Sequence, residues 1–342
     1  MNVMSDEEQN LLRDAATRFF SERHPISKAR RPIDWGDADT RNLWRDAAEM
    51  GFLGSAEHEA DDSLGMVGAW IVQEAAGASL FQLPIAEAMA IWPVLARSAA
   101  PADREVARSV LSGSECGIVY WYEHREEPAY IDFVPGSAPA ISIRSDTAAD
   151  AYTYARVLPD TLVPLVGLEP GIRRAAVAGA GQELPLRIDL GDADFPHRWR
   201  MCLAAQAVGT GSRAFEMACA FAKEREQFGK PIGVHQSIKH RLANHWMALD
   251  NARVAGQHAA NALDTGAADV RFAVDVAVLV ALEAALSVTA DAIQIHGAIG
   301  FSWEHDCHLF LKRALSLASK LGGEGRNLQR IADLVEPESA IA

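Results

Sequence analysis

The sequence is short of cysteine, of aromatic residues and of positive charge, and each shortage removes a class of protein. Its four cysteines, Cys116, Cys202, Cys219 and Cys307, are widely spaced and form no CxxC pair. Paired-thiol chemistry is thereby excluded, and the thiols are expected to stay reduced in the cytoplasm. Lys and Arg number 32 against 46 Asp and Glu, a formal net charge of −14. Such a balance argues against nucleic acid and anionic membrane as partners. No apolar run reads as long enough to span a bilayer. The start, Met1-Asn2-Val3-Met4-Ser5-Asp6-Glu7-Glu8, lacks the basic residues and apolar core of a signal peptide. Aromatics make up 7% while hydrophobic residues reach 49%; the difference reflects abundant alanine, which favours helix. At 342 residues the chain is long for one domain, and two or three packed units are expected.

What is present falls into three regions by pattern. Residues 1–112 read as helical. Ser5 with Glu8 makes a capping box ahead of Leu11, Leu12, Ala15, Phe19 and Phe20, and two more helices are expected over Ala69–Ala78 and Pro84–Ala99, broken by Gly77 and Pro84. Residues 113–196 change character. Ile118–Tyr122, Ala140–Ile143, Ala151–Ala155 and Ala175–Val177 are short β-like runs, separated by prolines at 128, 135, 139, 159, 164 and 170. Residues 197–336 are almost wholly helical. Within them Phe272–Ile295 is apolar nearly all round, with Asp275, Glu283 and Asp291 as its few charges, which predicts a helix buried on most sides, in the middle of a bundle or at a subunit interface.

The densest chemistry lies in Glu224-Arg225-Glu226-Gln227-Phe228-Gly229-Lys230-Pro231-Ile232-Gly233-Val234-His235-Gln236. Helical pattern precedes it over Ala204–Ala222 and resumes over Ser237–Asp264, while Gly229, Pro231 and Gly233 break the backbone between. Arg225 offers a planar fork of donors that suits phosphate, Gln227 and Gln236 add neutral donors, and Phe228 an apolar wall. An ordered anion-binding turn and a plain helix corner with a solvated arginine both fit. Two other motifs carry less. Gly209-Thr210-Gly211-Ser212-Arg213-Ala214 matches the dinucleotide pattern GxGxxA, but helix-like sequence precedes it, so small residues for a close helix crossing are the better reading. Glu304, His305, Asp306, Cys307 and His308 suggest a metal cluster with His305 and His308 on one helical face. The segment cannot complete a zinc shell alone, so no metal is expected and a helix start is the alternative.

Arg225-Glu-Gln-Phe-Gly-Lys-Pro-Ile-Gly-x-His-Gln, followed by Gln294-Ile295-His296-Gly297-Ala298-Ile299-Gly300-Phe301, resembles the acyl-CoA dehydrogenase family of flavoproteins. The likeness covers roughly Arg198–Arg330, and extends weakly to Leu43–Gly54. It implies a mainly α fold: an N-terminal helical domain, a small middle β domain and a C-terminal four-helix-bundle-like domain. It further implies FAD as cofactor, an acyl-CoA thioester as substrate and an electron-transfer flavoprotein or similar acceptor. The residues matching the family's neighbour-facing flavin contacts are Arg225, Gln227, Phe228, His235 and Gln236, then Gln294, Gly297 and Ala298.

Two departures shape the expectation. Family members carry a Thr-Glu-Pro-x-Ala-Gly-Ser-Asp-like segment that grips their own flavin, and nothing like it stands between Cys116 and Asp194. Their catalytic base, a Glu, falls either at the start of the first bundle helix, which here is Trp199, or near Lys320–Arg326. There Glu324-Gly325 reproduces the dipeptide, with a gap and without the usual aromatic neighbour. The chain thus resembles the half-equipped subunit of heteromeric acyl-CoA dehydrogenases of bacterial steroid side-chain breakdown. A related full-length partner in an α2β2 tetramer is the implied assembly, with the base on that partner. A self-sufficient homo-oligomer using Glu324, and a non-catalytic scaffold on the same fold, are the alternatives.

Overall fold

The computed structural model describes residues 4–54, 64–96, 101–122, 130–133, 140–146, 151–157, 162–177, 182–188 and 195–335. The chain runs helices, strands, helices, and divides into two compact units whose segments interleave: residues 1–27, 66–81 and 200–342 form one, residues 28–65 and 82–199 the other.

In the first unit, helix α1 (Asp6–Arg23) starts with the predicted capping box. The Ser5 hydroxyl accepts from the Glu8 N–H at 3.3 Å, and the Glu8 carboxylate accepts from the Ser5 N–H at 2.7 Å. Those hydrogen bonds hold the Glu8 carboxyl below its usual range. Helix α3 (Gly65–Ala78) is buried along most of its length, and its two ends are held by distant charges of opposite sign. The Asp264 carboxylate accepts from the Met66 and Val67 N–H groups at the N-terminus, and Arg313 donates to the Phe81 carbonyl at 2.9 Å beyond the C-terminus. Each charge matches the helix dipole.

Gly77 was expected to break this helix and instead lies inside it. A Cβ there would stand 2.1 Å from the Gln206 carbonyl oxygen, on helix α7 (Phe195–Glu224). Gly209 makes the reciprocal contact, its Cβ position lying 1.9 Å from the Glu74 carbonyl oxygen. The GxGxxA run is therefore a helix crossing, as its helical surroundings predicted. Behind it, helix α8 (Gln236–Thr265) brings Gly256 onto the face of the Trp70 ring.

Helix α9 (Val270–His296) corrects the reading that no run could span a bilayer. It is long and apolar enough by itself, with mean hydropathy 2.0 over its best window, 61% of which is buried inside the protein. Two of its charges are paired inside the unit. Asp275 is buried against Arg200, and Asp291 meets both Arg241 and His245 of α8, the latter at 2.8 Å. Helices α10 (Ala298–Phe301), α11 (Cys307–Lys320) and α12 (Gly323–Val335) complete the unit; residue 336, the end of the expected domain, lies outside the described residues.

The second unit holds helices α2 (Ala38–Glu49), α4 (Ile85–Ala90), α5 (Trp92–Ala96) and α6 (Pro101–Leu111), followed by strands. The single helix expected over Pro84–Ala99 is thus two short ones that part at Ile91, and residues 97–100 lie outside the described set. Strands β1 (Ile118–Tyr122), β3 (Ala140–Asp146), β4 (Ala151–Val157) and β7 (Gln182–Ile188) form one sheet in the order β1-β3-β4-β7. β2 (Tyr130–Phe133), β6 (Arg173–Val177) and β5 (Leu162–Leu165) form another in the order β2-β6-β5. The four expected strands are present, while β2, β5 and β7 were missed. Pro164, read as a separator, sits within β5, which a proline tolerates because β5 is an edge. Asp132 and Arg174 face each other across β2 and β6 in a 2.8 Å ion pair.

Candidate functional site

The main motif begins where α7 ends. The Arg225 N–H still donates to the Phe221 carbonyl at 2.8 Å, and the Arg225 carbonyl accepts from the Ile232 N–H at 2.8 Å, so the chain is pinched into a loop. Inside the loop, strand β8 (Glu226–Gln227) pairs with β9 (Lys230–Pro231) as a two-residue hairpin. Its tip residues, Phe228 and Gly229, both have left-handed backbone, φ 53° and 76°. A turn of this kind favours Asn-Gly, and a phenylalanine in the first position holds strain. The Phe228 ring is 93% exposed. Strain and an exposed ring at one residue make this tip a candidate contact surface. Gly233 seats the returning strand on the end of α7, its Cβ position 2.8 Å from the Ala222 carbonyl oxygen. His235 then stands at the N-cap of α8 and Gln236 in its first turn.

The second motif lies at the end of α9. Gly297 has φ 65° and ψ −142°, a combination open in practice only to glycine, and a Cβ there would meet nothing within 4 Å. Space for close approach to this backbone is therefore real. Gln294, Ala298 and Phe301 are exposed beside it. The two motifs are brought together by the Phe221 ring of α7 stacking on the His296 ring, centroids 4.5 Å apart. His296 is fixed in turn by the Ala292 carbonyl at 2.7 Å, the Cys307 sulfur at 3.8 Å and the His305 ring at 4.5 Å. Burial, with the His305 ring as a further cause, lowers the His296 pKa, while burial pushes the Cys307 thiol up to about 12.

Arg225, Gln227, Phe228, His235, Gln236, Gln294, Gly297 and Ala298 are all exposed. The Arg225 guanidinium makes no hydrogen bond to the described residues. This surface has the chemistry an FAD pyrophosphate needs: a free planar cation, neutral amides and unobstructed glycine backbone. Glu324 also lies exposed, in the first turn of α12, and no hydrogen bond, ion pair or ring contact among the described residues links it to the two motifs. Trp199 is buried in the other unit, its indole N–H donating to Glu87 at 3.3 Å.

The 304–308 segment is not a helical face. His305 precedes α11, its Nδ1 accepting from the Cys307 N–H at 3.2 Å, while His308 is inside the helix and stacks on Trp303. Among the described residues no three metal-ligating side chains converge. Sequence reasoning missed three buried polar groups, Glu87, Arg200 and Asn327.

The chain is similar to known proteins in sequence and in fold. Residues 196–335 match the family described as acyl-CoA dehydrogenase, C-terminal domain. Acyl-CoA dehydrogenase IpdE2 of Mycolicibacterium smegmatis is 29% identical over 332 residues, 95% of this chain and 98% of that protein. Acyl-CoA dehydrogenase FadE34 of Mycobacterium tuberculosis is 42% identical over 135 residues, 39% of this chain and only 19% of that longer protein. Among solved structures, the ChsE4-ChsE5 complex from Mycobacterium tuberculosis superposes with a TM-score of 0.81 at 21% identity, over 98% of this chain and 99% of that one. Residues 196–335 thus match the acyl-CoA dehydrogenase C-terminal domain, and along nearly its whole length the chain is similar to acyl-CoA dehydrogenases.

Proposed function

We propose that this chain is the flavin-completing subunit of a heteromeric acyl-CoA dehydrogenase. The observation that carries the reading is that every matched flavin-contact residue faces outward, on a strained hairpin and an open glycine turn locked side by side by the Phe221–His296 stack. A surface so ordered and so exposed suits a cofactor held by another subunit. The solved complex of two different chains that shares this fold supports the same assembly.

In this reading FAD, when bound, supplies the hydride acceptor for α,β-dehydrogenation of an acyl-CoA thioester. The chain's own residues bind and orient. Arg225 would hold a phosphate of the cofactor, with Gln227, Gln236 and Gln294 as neutral donors and Gly297 leaving its backbone open to approach. Phe228 would supply an apolar contact. The base that takes the α-proton belongs to the partner, since Glu324 stands in water here and a general base for this step needs a dry pocket. A bulky polycyclic acyl-CoA is the substrate class we favour, since one solved structure of this fold, Tcur3481-Tcur3483, is described as a steroid ACAD. The test is to add such an acyl-CoA, anaerobically, to this chain co-purified with a longer related chain. Bleaching of the flavin absorbance supports the reading, and a flavin that stays oxidised with every acyl-CoA tried counts against it.

A further inference from the structure

A net charge of −14 sets a problem for a chain whose best site is built for a polyanion. The problem is sharpest at Asp291. It lies on α9 three residues before Gln294, about 4.5 Å back along the helix axis and on nearly the same face. Its side chain is only 11% exposed, so solvent ions screen it little. An unpaired carboxylate there would repel a phosphate held beside Gln294.

Helix α8 supplies the partners. Arg241 pairs with Oδ1 of Asp291, and His245, one turn further along α8, meets Oδ2 at 2.8 Å. No other ion pair or side-chain hydrogen bond among the described residues reaches these three side chains, so Asp291 and Arg241 are the charged groups that face His245. Burial, then Arg241, lowers the His245 pKa, so near pH 7 the ring is neutral and Arg241 alone brings positive charge to Asp291. Arg241 is 42% exposed, and a pair with one half in water adds little stability. What the pair changes is the local field. We propose that Arg241 serves the flavin surface by cancelling the charge of Asp291, which leaves Gln294 and Gly297 open to a cofactor phosphate. The proposal rests on the reading of that surface as a flavin site.

The test is FAD binding to the flavin-stripped, co-purified assembly, with the urea midpoint as a separate readout. Arg241→Gln keeps hydrogen-bond donors but uncovers the carboxylate charge, and should weaken FAD binding by about five- to twentyfold, more at low salt than at high. Asp291→Asn breaks the same ion pair, yet should bind FAD as tightly as the parent or more tightly. The two changes together should return to within about threefold of the parent. A purely structural pair predicts instead equal losses from either single change. In Arg241→Gln the weakening should also fade as pH falls from about 8 to 6, because His245 then gains a proton beside Asp291. FAD affinity unchanged by Arg241→Gln, or lowered as much by Asp291→Asn, overturns the proposal. Should Arg241→Gln not assemble, Asp291→Asn decides alone, and weaker FAD binding overturns it. A parent assembly that takes up no FAD counts against the functional reading. Calorimetry of inorganic pyrophosphate binding to this chain then judges the proposal on the same variants, and no binding by the parent chain overturns it as well.

Discussion

The crossing of α3 and α7 makes the sharpest stability prediction. In Gly209→Ala the new methyl would lie 1.9 Å from the Glu74 carbonyl oxygen, a backbone atom that cannot rotate away. An ordinary carbon–oxygen contact needs about 3.3 Å, so the helices must part locally by roughly 1.4 Å. Parting them strains the buried hydrogen bond from Gln206 to Gln73, now 2.7 Å, and that from Thr210 to the Gly77 carbonyl, now 3.3 Å. Each buried bond left unmade costs about 1–3 kcal/mol, and overpacking of a core adds a similar amount. Against this, alanine gains at most about 1 kcal/mol of helix propensity. The net expectation is a loss of roughly 2–4 kcal/mol, read as a lowered urea midpoint with an unchanged slope. Gly325→Ala is the control, since its Cβ meets nothing within 4 Å, and it should leave the midpoint level or raise it. If Gly209→Ala is as stable as the parent, the account of this crossing is wrong.

Three further outcomes follow from the site. Arg225→Ala should weaken flavin retention in the assembly by about ten- to hundredfold, the worth of a charge-assisted hydrogen bond, and Arg225→Lys should recover only part; unchanged retention would reduce the motif to a helix corner. Glu324→Gln should leave steady-state turnover within a few-fold of the parent, and a loss of about a hundredfold with flavin still bound would make Glu324 the base after all. The His245 pKa is lowered by burial, then by Arg241, with Asp291 already engaged by that arginine; the His296 pKa is lowered by burial, then by His305. Both rings therefore bind protons more weakly folded than unfolded, so stability should be full above the ordinary value of 6.5 and fall as pH drops below it. Denaturation midpoints that rise on acidification through that window would contradict this.

Much of the fold was legible because it rests on local pattern. The capping box at Ser5, the helices on either side of the hairpin and the buried α9 all follow from residues within a few positions of one another. What escaped depends on partners far along the chain. Gly77 reads as a breaker until Gln206 is known to lie against it, and Pro164 as a separator until β5 is known to be an edge. The site divides the same way. Arg225, Gln227 and Gly297 were legible as motif residues, and their exposure agrees with a shared surface. The strain at Phe228 and the Arg241–Asp291–His245 cluster, whose members come from two helices, have no local signature.

The central claim, that this chain completes a flavin site it cannot fill alone, is tested most directly by flavin occupancy. The chain should be purified alone and again co-expressed with a longer related chain, and the flavin absorbance and the molecular mass of each sample compared. The account predicts a colourless preparation alone and a yellow hetero-oligomer with the partner, carrying less than one flavin per chain. A yellow homo-oligomer with one flavin per chain, formed without any partner, would contradict it.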